Sequence, residues 1–430
     1  MKTDHDVAVV GGGLAGLAAA RELAASGLEV LLVEARDRLG GRTWTAEHLG
    51  RPLEMGAMHV HWLQPCIWAE IIRYGIELVP PREATAATWL AGGEVRHGTP
   101  ADLWGRMDRV LTPLFADARE VFPYPYSPAA RRSAVEALDP VVMTDRIESL
   151  DLTAEERGLA YAYCTLQFNG PADEGAYTQM LRWVALAGGQ WRLLSEALGG
   201  YEFRDGTKQL VECMRADGEF DVRLGAVVDA VAVADDHVEL SLGESAPTAR
   251  AVVVAVPLNA LGRISFEPEL PGPVAQVARD GQVSRGSKIW VEVEGPVDMR
   301  VAFAEDHPIV MAYTDSSGAD SSIVVCFGRD GEELTGEDSS AVQTALEVLF
   351  PGVQVRSCVT HNWRRDPLTQ ETWGMLRPGQ WTQLRELESM TGPVFLAGSD
   401  VADGWAGLME GAIESGMTAA RKARAFLRAA

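Results

Sequence analysis

The chain of 430 residues exceeds the size at which one hydrophobic core stops growing, about 250–300 residues, so two closely packed domains are expected. Hydrophobic residues make up 47% and charged residues 23%, which excludes a disordered chain, and no apolar run approaches the ~20 residues that span a bilayer. The formal net charge of -23 at pH 7 excludes a protein that tracks nucleic-acid phosphates, because such binding needs clustered lysine and arginine.

The cysteines lie far apart in the sequence, at Cys66, Cys164, Cys213, Cys326 and Cys358. An odd and scattered set argues against a disulfide framework. The N-terminus carries no leader pattern, so a reducing compartment, the cytoplasm, is expected. His59 and His61 could share one face of a strand, but no third ligand follows at metal spacing, so no metal site is expected.

The chain begins with the pattern of strand, tight turn, helix and strand. Residues 6–10 form a short β-branched run, residues 14–26 are amphipathic, and residues 30–33 form a second apolar run. Residues 80–200 are predicted to be rich in helix and poor in strand.

Strand patterns return in the second half of the chain. They cover residues 221–233, 238–242, 251–256, 288–293, 323–327 and 394–397. The last of these strands leads through Gly398 into a helix that is predicted to continue to Leu427.

The turn after the first strand matches the G-x-G-x-x-G pattern at Gly11, Gly13 and Gly16. Glycine lets the backbone lie against a pyrophosphate, whose charges then face the N–H groups at the positive end of a helix. Glu34 ends the next strand at the distance that reaches a ribose hydroxyl. The pattern predicts a dinucleotide site and leaves NAD and FAD open.

A run of glycine and arginine follows Glu34. Gly40 and Gly41 would let the main chain approach the cofactor, and Arg42 could offer a guanidinium fork to a phosphate oxygen. Residues 34–43 resemble the second motif of the flavin monoamine oxidase superfamily, where such a run wraps FAD. NAD enzymes have no reason to carry it, so FAD is the predicted cofactor.

The resemblance covers almost the whole chain. It extends through residues 53–58, 396–400 and 405–412, in the order of the family pattern. Residues 61–75 look most similar to the bacterial nicotine and pseudooxynicotine oxidoreductases.

The resemblance implies an α/β fold in which a Rossmann-like FAD-binding domain of amine-oxidase type is interleaved with an α+β substrate-binding domain. The FAD-binding domain would comprise residues 1–79, 205–285 and 388–430. The substrate-binding domain would comprise residues 80–204 and 286–387.

The resemblance also assigns cofactor contacts, residue by residue. The residues that it places around FAD are Gly11, Gly13, Ala15, Gly16, Glu34, Ala35, Arg36, Gly40, Gly41, Arg42, Gly56, Ala57, Met58, Val228, Trp363, Gly398, Ser399, Asp400, Leu408 and Met409. Thr372 stands where some relatives carry the cysteine that attaches FAD, so non-covalent binding is expected.

Three residues are expected to act at the reacting centre. Lys288 resembles the lysine that holds a water against the reactive ring nitrogen of the flavin, although a surface position on a half-exposed strand is the alternative. Trp373 resembles one wall of the family's aromatic cage, and Leu408 stands where the second wall usually lies. Because Leu408 is aliphatic, the cage would be one-sided, which suggests a bulky amine.

The substrate pocket is predicted to contain His59, His61 and Trp62 beside Trp373 and Leu408. The chemistry implied is transfer of a hydride from the carbon next to an amine nitrogen, giving an imine that would hydrolyse or be released. The acceptor would be oxygen, with formation of hydrogen peroxide, or a protein electron carrier, and a homodimer is compatible with the sequence.

Two other functions remain open at this point. A flavin desaturase or dehydrogenase that acts on carbon-carbon bonds would share the fingerprint. A flavin-binding protein without enzymatic activity would share it too, although the set of motifs favours an enzyme.

Overall fold

The computed structural model describes residues 3–429, whose strands form two large and two small sheets. The strands are, in chain order, β1 (His5–Val10), β2 (Val30–Val33), β3 (Thr45–His48), β4 (Arg51–Glu54), β5 (His59–Val60), β6 (Leu78–Val79), β7 (Ala86–Ala91), β8 (Glu94–Gly98), β9 (Tyr201–Phe203), β10 (Asp221–Arg223), β11 (Ala230–Val233), β12 (Val238–Ser241), β13 (Thr248–Val254), β14 (Ser265–Glu267), β15 (Ser287–Glu294), β16 (Arg300–Ala304), β17 (Ile309–Ser316), β18 (Ser321–Gly328), β19 (Val355–Thr360) and β20 (Val394–Leu396).

The α-helices are, in chain order, α1 (Leu14–Ala24), α2 (Pro65–Tyr74), α3 (Pro100–Leu114), α4 (Ala118–Val121), α5 (Arg132–Leu138), α6 (Met143–Glu148), α7 (Ala154–Phe168), α8 (Tyr177–Leu186), α9 (Trp191–Leu198), α10 (Lys208–Ala216), α11 (Leu258–Leu261), α12 (Gly272–Asp280), α13 (Ser339–Leu349), α14 (Gln380–Leu384) and α15 (Met409–Ala429). None of the helices in residues 3–429 combines the length and the apolar character needed to cross a bilayer.

The first large sheet has the order β10-β2-β1-β13-β12-β11-β14, and β20 also pairs with β13. Strands β1, β2, β10, β13 and β20 run parallel, and the apolar side chains of β1 and β2 are buried under α1 and α15. The alternate side chains of β1 and β2 are buried in a second cluster, so both faces of the parallel sheet are covered, which confirms the predicted α/β, Rossmann-like fold. It brings the carboxyl ends of β1, β2 and β13 to one edge.

The second large sheet has the order β19-β15-β18-β17-β16-β7-β8. Its pairs are antiparallel except for the parallel pair β16 and β7. Helix α13 covers one face, and α3 and α7 pack at β7. The sheet presents Lys288, Phe327, Met311 and Phe303 in one cross-strand row.

Several local predictions differ from the structure. The predicted run 221–233 divides into β10 and β11, because Gly225 has φ +65° and the two strands pair with different partners. A β-hairpin, β7 and β8, lies in the region predicted to be poor in strand, where Gly92 and Gly93 form the turn with positive φ. After Gly398 a short 3₁₀ turn and a loop intervene before α15 begins.

The strands of the two large sheets fall within the segments predicted for the two domains. One strand of the small sheet β5-β9-β6 does not follow this division. Strand β9 lies in the segment assigned to the substrate-binding domain but pairs with β5 and β6 from the FAD segment. The exact domain boundaries stay a prediction.

Candidate active site

A cavity of about 1030 Å³ is lined by residues from both large sheets. At one end lies the glycine turn after β1, and farther along lie Lys288, Trp373 and Leu408. Pockets for a single small ligand usually occupy about 300–1,000 Å³. The cavity therefore has room for a dinucleotide with a substrate in front of it.

Two positions of the glycine turn have no room for a side chain, and a third position faces open space. A Cβ atom on Gly11 would lie 2.5 Å from the Ala255 carbonyl oxygen, and one on Gly16 would lie 1.8 Å from the Gly11 carbonyl oxygen. A Cβ on Gly13 would meet nothing closer than 3.9 Å, so this residue faces the cavity. Gly16 does not line the cavity, so the predicted contact with the cofactor is not made there, and the residue instead lets α1 pack on β1.

The carboxylate of Glu34 lies where the turn meets the end of β2. It is buried, and its two oxygens accept hydrogen bonds from the backbone N–H of Gly12 at 2.6 Å and of Arg36 at 2.8 Å. Glu34, Ala35 and Arg36 all line the cavity. An acceptor carboxylate at the end of β2, beside the open space at the turn, fits the ribose and pyrophosphate of FAD.

The hydrogen-bond partners of Arg42 are groups of the protein itself, whereas the sequence predicts a phosphate oxygen of the cofactor. Its Nη1 donates to Glu371 at 2.5 Å and to the Thr372 carbonyl at 3.0 Å, and its Nη2 donates to Asp400 at 3.0 Å and to Ser399 Oγ at 2.9 Å. The guanidinium joins the motif after β2 to the segment before Trp373 and to the segment after β20. Arg42 is therefore a clamp between these segments, and a phosphate contact stays a prediction.

Two buried carboxylates thus share one arginine. Burial and the nearby charge of Asp400 raise the pKa of Glu371 well above its usual value. Burial also acts on Asp400, but the charge and hydrogen bonds of Arg42 outweigh it and lower its pKa. The two shifts run in opposite directions, so we expect Asp400 to carry the charge that pairs with Arg42, and Glu371 to be the first of the two to take up a proton as the pH falls. Asp400 lies behind the cavity wall and does not line the cavity, contrary to our prediction.

The two carboxylates should respond differently to neutral replacement. Asp400→Asn is expected to lower the free energy of unfolding by about 3–5 kcal/mol, because Arg42 loses its ionised partner. Glu371→Gln is expected to lower it by less, because burial and the charge of Asp400 already disfavour a negative charge on Glu371. Urea unfolding of the two variants beside the wild type measures the difference. Equal losses would contradict the opposite pKa shifts of the two carboxylates.

The stretch 54–58 leads from the end of β4 towards the second large sheet. The indole N–H groups of Trp290 and Trp363 each donate to a carbonyl of this stretch at 2.9 Å, and Lys288 Nζ donates to the Gly56 carbonyl at 2.5 Å. A Cβ atom on Gly56 would lie 1.8 Å from the Arg42 carbonyl oxygen. These contacts fix the stretch against the cavity.

Lys288 points inward from β15 and lines the cavity, so the alternative of a surface lysine is excluded. Its Nζ lies 3.6 Å from the Met58 sulfur and 5.4 Å from the Trp290 ring centroid. Burial lowers the pKa of Lys288 to about 8, and the nearby carboxylates of Glu54 and Glu202, with that of Asp315, oppose part of the shift. The ammonium group can therefore lose its proton at mildly alkaline pH.

Trp373 and Leu408 both line the cavity beyond Lys288. The Trp373 indole N–H donates to the Gln167 carbonyl at 2.7 Å, and its ring stands edge-on to Phe327 with 6.3 Å between centroids. A Cβ on Gly407 would lie 2.7 Å from the Gly374 carbonyl oxygen, so the two segments touch through backbone atoms beside these side chains. Trp373 and Leu408 therefore lie close together at the cavity, and the second of the two side chains is aliphatic.

Of the residues His59, His61 and Trp62, which are predicted to line the substrate pocket, only His59 lines the cavity. His59 lines the cavity, and its Nε2 lies 3.5 Å from Glu202. His61 is buried elsewhere, with its Nε2 3.5 Å from Glu196, and Trp62 is 52% exposed at the surface. Strand β5 ends at Val60, so the alternation that would have turned His61 towards the cavity does not continue. The prediction that His61 and Trp62 line the substrate pocket is wrong.

The remaining predicted residues converge on the cavity. Those that line it are Gly11, Gly13, Ala15, Glu34, Ala35, Arg36, Gly40, Gly41, Arg42, Gly56, Ala57, Met58, His59, Val228, Lys288, Trp363, Trp373, Gly398, Ser399, Leu408 and Met409.

Sequence patterns did not point to several other lining residues, among them Gln167, Asn169, Glu202, Tyr313 and Phe327. Phe327 ends a predicted strand, so alternation along that strand could have placed it. Asn169 ends α7 with φ +44° and accepts a hydrogen bond from the Thr372 hydroxyl at 2.8 Å, a role with no local sequence signal.

The parallel sheet with its glycine turn, the acceptor Glu34 and the long cavity are typical of an oxidoreductase that uses a dinucleotide. A family model described as flavin containing amine oxidoreductase matches residues 14–424, and the chain belongs to this family.

Known proteins of this family align with nearly the whole chain. Pseudooxynicotine dehydrogenase from a Pseudomonas species is 32% identical over 99% of this chain and 87% of that protein. Nicotine dehydrogenase from Pseudomonas putida is 33% identical over 99% of this chain and 89% of that protein. A putrescine oxidase structure with bound putrescine, at 24% identity, matches 98% of this chain and 99% of that chain with a TM-score of 0.84, which shows the fold.

The protein is an FAD-dependent amine oxidoreductase. The predicted resemblance to the flavin monoamine oxidase superfamily, and within it to nicotine and pseudooxynicotine enzymes, is confirmed.

Proposed function

We propose that the protein binds FAD non-covalently along the glycine turn and oxidises a bulky amine that carries an aromatic or heterocyclic group. The single observation that carries this proposal is the continuity of the cavity from Gly13 and Glu34 to Lys288, Trp373 and Leu408. A cofactor and an amine can lie end to end in such a space.

Non-covalent attachment is supported by the side chains around the cavity. The five cysteines, all within the described part of the chain, are absent from its lining, and Thr372 lines it next to Trp373. A thioether to the flavin needs a cysteine within bonding distance.

When bound, FAD supplies the acceptor for a hydride. The residues of the chain have to favour the neutral amine, because its lone pair must be free before the adjacent carbon can lose the hydride. Binding the neutral form of an amine whose pKa lies about three units above the pH costs about 4 kcal/mol, and burial of one aromatic ring of ~150 Å² at about 25 cal/mol per Å² offsets a cost of that size. Contact with Trp373, Leu408 and Phe327 would provide a surface of that size.

Two further features support this arrangement. Helix α15 begins at Met409, and Leu408, Met409 and Ala412 line the cavity, so the positive end of the helix dipole faces the space where negative charge would develop. Below pH 8 the ammonium group of Lys288 would repel a protonated amine in the same cavity.

Lys288→Met is expected to remove one ionisation from the pH profile of kcat/KM. Burial lowers the pKa of Lys288 to about 8, so the repulsion of protonated substrate should fade as the pH rises through that value. The wild-type profile should therefore rise more steeply near pH 8 than that of the variant. Measuring kcat/KM of both proteins at matched FAD content checks this, and superimposable profiles would rule it out.

The substrate class is supported by named relatives. Two have names that refer to nicotine and pseudooxynicotine, and a third is (S)-6-hydroxynicotine oxidase from Paenarthrobacter nicotinovorans, 29% identical over 96% of this chain. An aliphatic Leu408 in place of a second aromatic wall leaves more room beside Trp373, which suits a bulky amine.

The electron acceptor, the oligomeric state and the compartment belong to the proposal as well. We propose either oxygen or a protein electron carrier as acceptor, a homodimer as the assembly, and the cytoplasm as the compartment. The five cysteines form no disulfide in the structure, which supports a reducing compartment.

The test is steady-state turnover against a panel of nicotine-like cyclic amines, arylalkylamines, polyamines and amino acids, with oxygen or an electron-accepting dye. We expect the aromatic and heterocyclic amines to have the highest kcat/KM. Higher values for polyamines or amino acids would overturn the substrate class. Reaction with a nitrogen-free substrate and with none of the amines would favour chemistry at a carbon-carbon bond.

A further inference from the structure

The floor of the cavity is a row of side chains that crosses the second sheet. In the strand register, Lys288 on β15 pairs with Phe327 on β18, Phe327 pairs with Met311 on β17, and Met311 pairs with Phe303 on β16. All four side chains line the cavity. Each step along this row is one strand spacing, so the spacing gives the distances between positions along the cavity.

Neighbouring strands lie about 4.8 Å apart, so Phe303 is about 10 Å from Phe327 and about 14 Å from Lys288 across the sheet. Phe327 is the residue whose ring meets Trp373. The cavity thus extends about 10 Å beyond the cage, which is farther than a small alkylamine held at Trp373 can reach.

Phe303 is one member of an aromatic cluster at this far end, which we name the distal aromatic pocket. Its other members are Trp104, Tyr163 and Trp191. Trp104 stands 5.9 Å from Phe303 and 6.3 Å from Trp191, and Tyr163 stands 5.8 Å from Trp191, between ring centroids. The four residues all line the cavity.

Helix α7 connects the cage to this pocket. Gln167, whose carbonyl accepts the indole N–H of Trp373, lies one turn along α7 from Tyr163, which is a rise of about 6 Å. Leu166 on the same helix also lines the cavity. The helix thus gives a second, independent measure of a continuous path from the cage to the pocket.

The Tyr163 hydroxyl and the Trp191 indole N–H of the pocket already have partners within the protein. The Tyr163 hydroxyl lies 3.1 Å from Ser195 Oγ, and the Trp191 indole N–H donates to Thr112 at 3.3 Å. Arg192, at the margin, forms an ion pair with Asp108. The pocket therefore offers mainly ring faces, which suits an apolar or aromatic group.

We infer that the distal aromatic pocket binds the apolar end of an extended amine substrate, an aromatic ring by preference, while the amine lies at Trp373 about 10 Å away. This inference rests on the proposed function and narrows its substrate class. An uncharged polar end would gain less from the pocket than a ring, because its hydrogen-bonding groups would meet mainly ring faces there.

The experiment uses the FAD-loaded protein and phenylalkylamines of increasing chain length. We expect kcat/KM to rise by about fourfold per methylene group, the factor for transfer of one CH₂ from water, until the ring reaches the pocket. Trp104→Ala and Phe303→Leu should each flatten this rise and lower kcat/KM of the longest amine more than tenfold, with the shortest amine little changed. Trp68→Ala is the matched control, since Trp68 is half-buried against Tyr201 outside the cavity.

A binding measurement separates recognition from chemistry. Analogues with two methyl groups on the carbon next to nitrogen have no hydrogen to lose there, so calorimetry on the oxidised protein reports affinity alone, and the same dependence on length is expected. A wild-type protein that oxidises short and long amines equally, or variants that keep the full rise, would overturn the inference. Failure of every phenylalkylamine to reduce the flavin would instead count against the proposed function.

Discussion

Replacement of Gly13 by valine is expected to give a folded protein that no longer retains FAD. Gly13 has φ -74°, which a β-branched residue can adopt, and a Cβ there meets only Gly41 at 3.9 Å and Gly40 at 4.0 Å. The branched side chain would fill the space in which the turn must approach the pyrophosphate. Overpacking of about 3 kcal/mol corresponds to FAD binding weaker by more than about a hundredfold.

Absorbance of the purified variant, with circular dichroism as the check on folding, measures this outcome. Gly16→Val serves as the opposite control, since its Cβ would lie 1.8 Å from the Gly11 carbonyl oxygen and the helix could not pack. The Gly13 variant should melt close to the wild-type apoprotein and the Gly16 variant well below it. A Gly13 variant that holds FAD in the wild-type ratio would show that the turn does not face the cofactor.

Replacement of Trp373 by alanine is expected to keep FAD bound and to lower kcat/KM by about 10²–10³. The indole lines the cavity beside Phe327 and away from the glycine turn, so its loss should not disturb the cofactor. It removes an apolar wall of ~150 Å², worth about 4 kcal/mol at about 25 cal/mol per Å², from the environment that favours the neutral amine.

Stopped-flow reduction of the flavin under anaerobic conditions measures the loss at the chemical step. Trp62→Ala is the control, because Trp62 is 52% exposed and does not line the cavity. Its turnover should match the wild type, which also tests whether Trp62 lies outside the substrate pocket. Normal flavin reduction in the Trp373 variant would show that the cage is elsewhere.

The parts of the fold that depend on local pattern could be predicted from the sequence. Strand β1, helix α1 and strand β2 appear where the apolar periodicity and the glycine turn indicate them, and Glu34 ends β2 as expected. Here each residue is constrained by neighbours a few positions away. The same reasoning predicted the inward Lys288 only with help from the family resemblance.

The parts that depend on distant pairing could not be predicted. Arg42 finds its partner Glu371 at a separation of 329 residues, and no local signal distinguishes that ion pair from a phosphate contact. The row from Lys288 to Phe303 exists only through the register of four strands. The error at His61 has a local cause, since a strand of two residues is too short for alternation to be reliable.

Anaerobic titration of the FAD-loaded protein with an aromatic secondary amine tests the proposed chemistry most directly. We expect one equivalent of amine per flavin to bleach the flavin absorbance and to yield one equivalent of the imine or its hydrolysis product. A flavin that stays oxidised with every amine, in protein that is folded and fully loaded, would contradict hydride removal from the carbon beside the nitrogen.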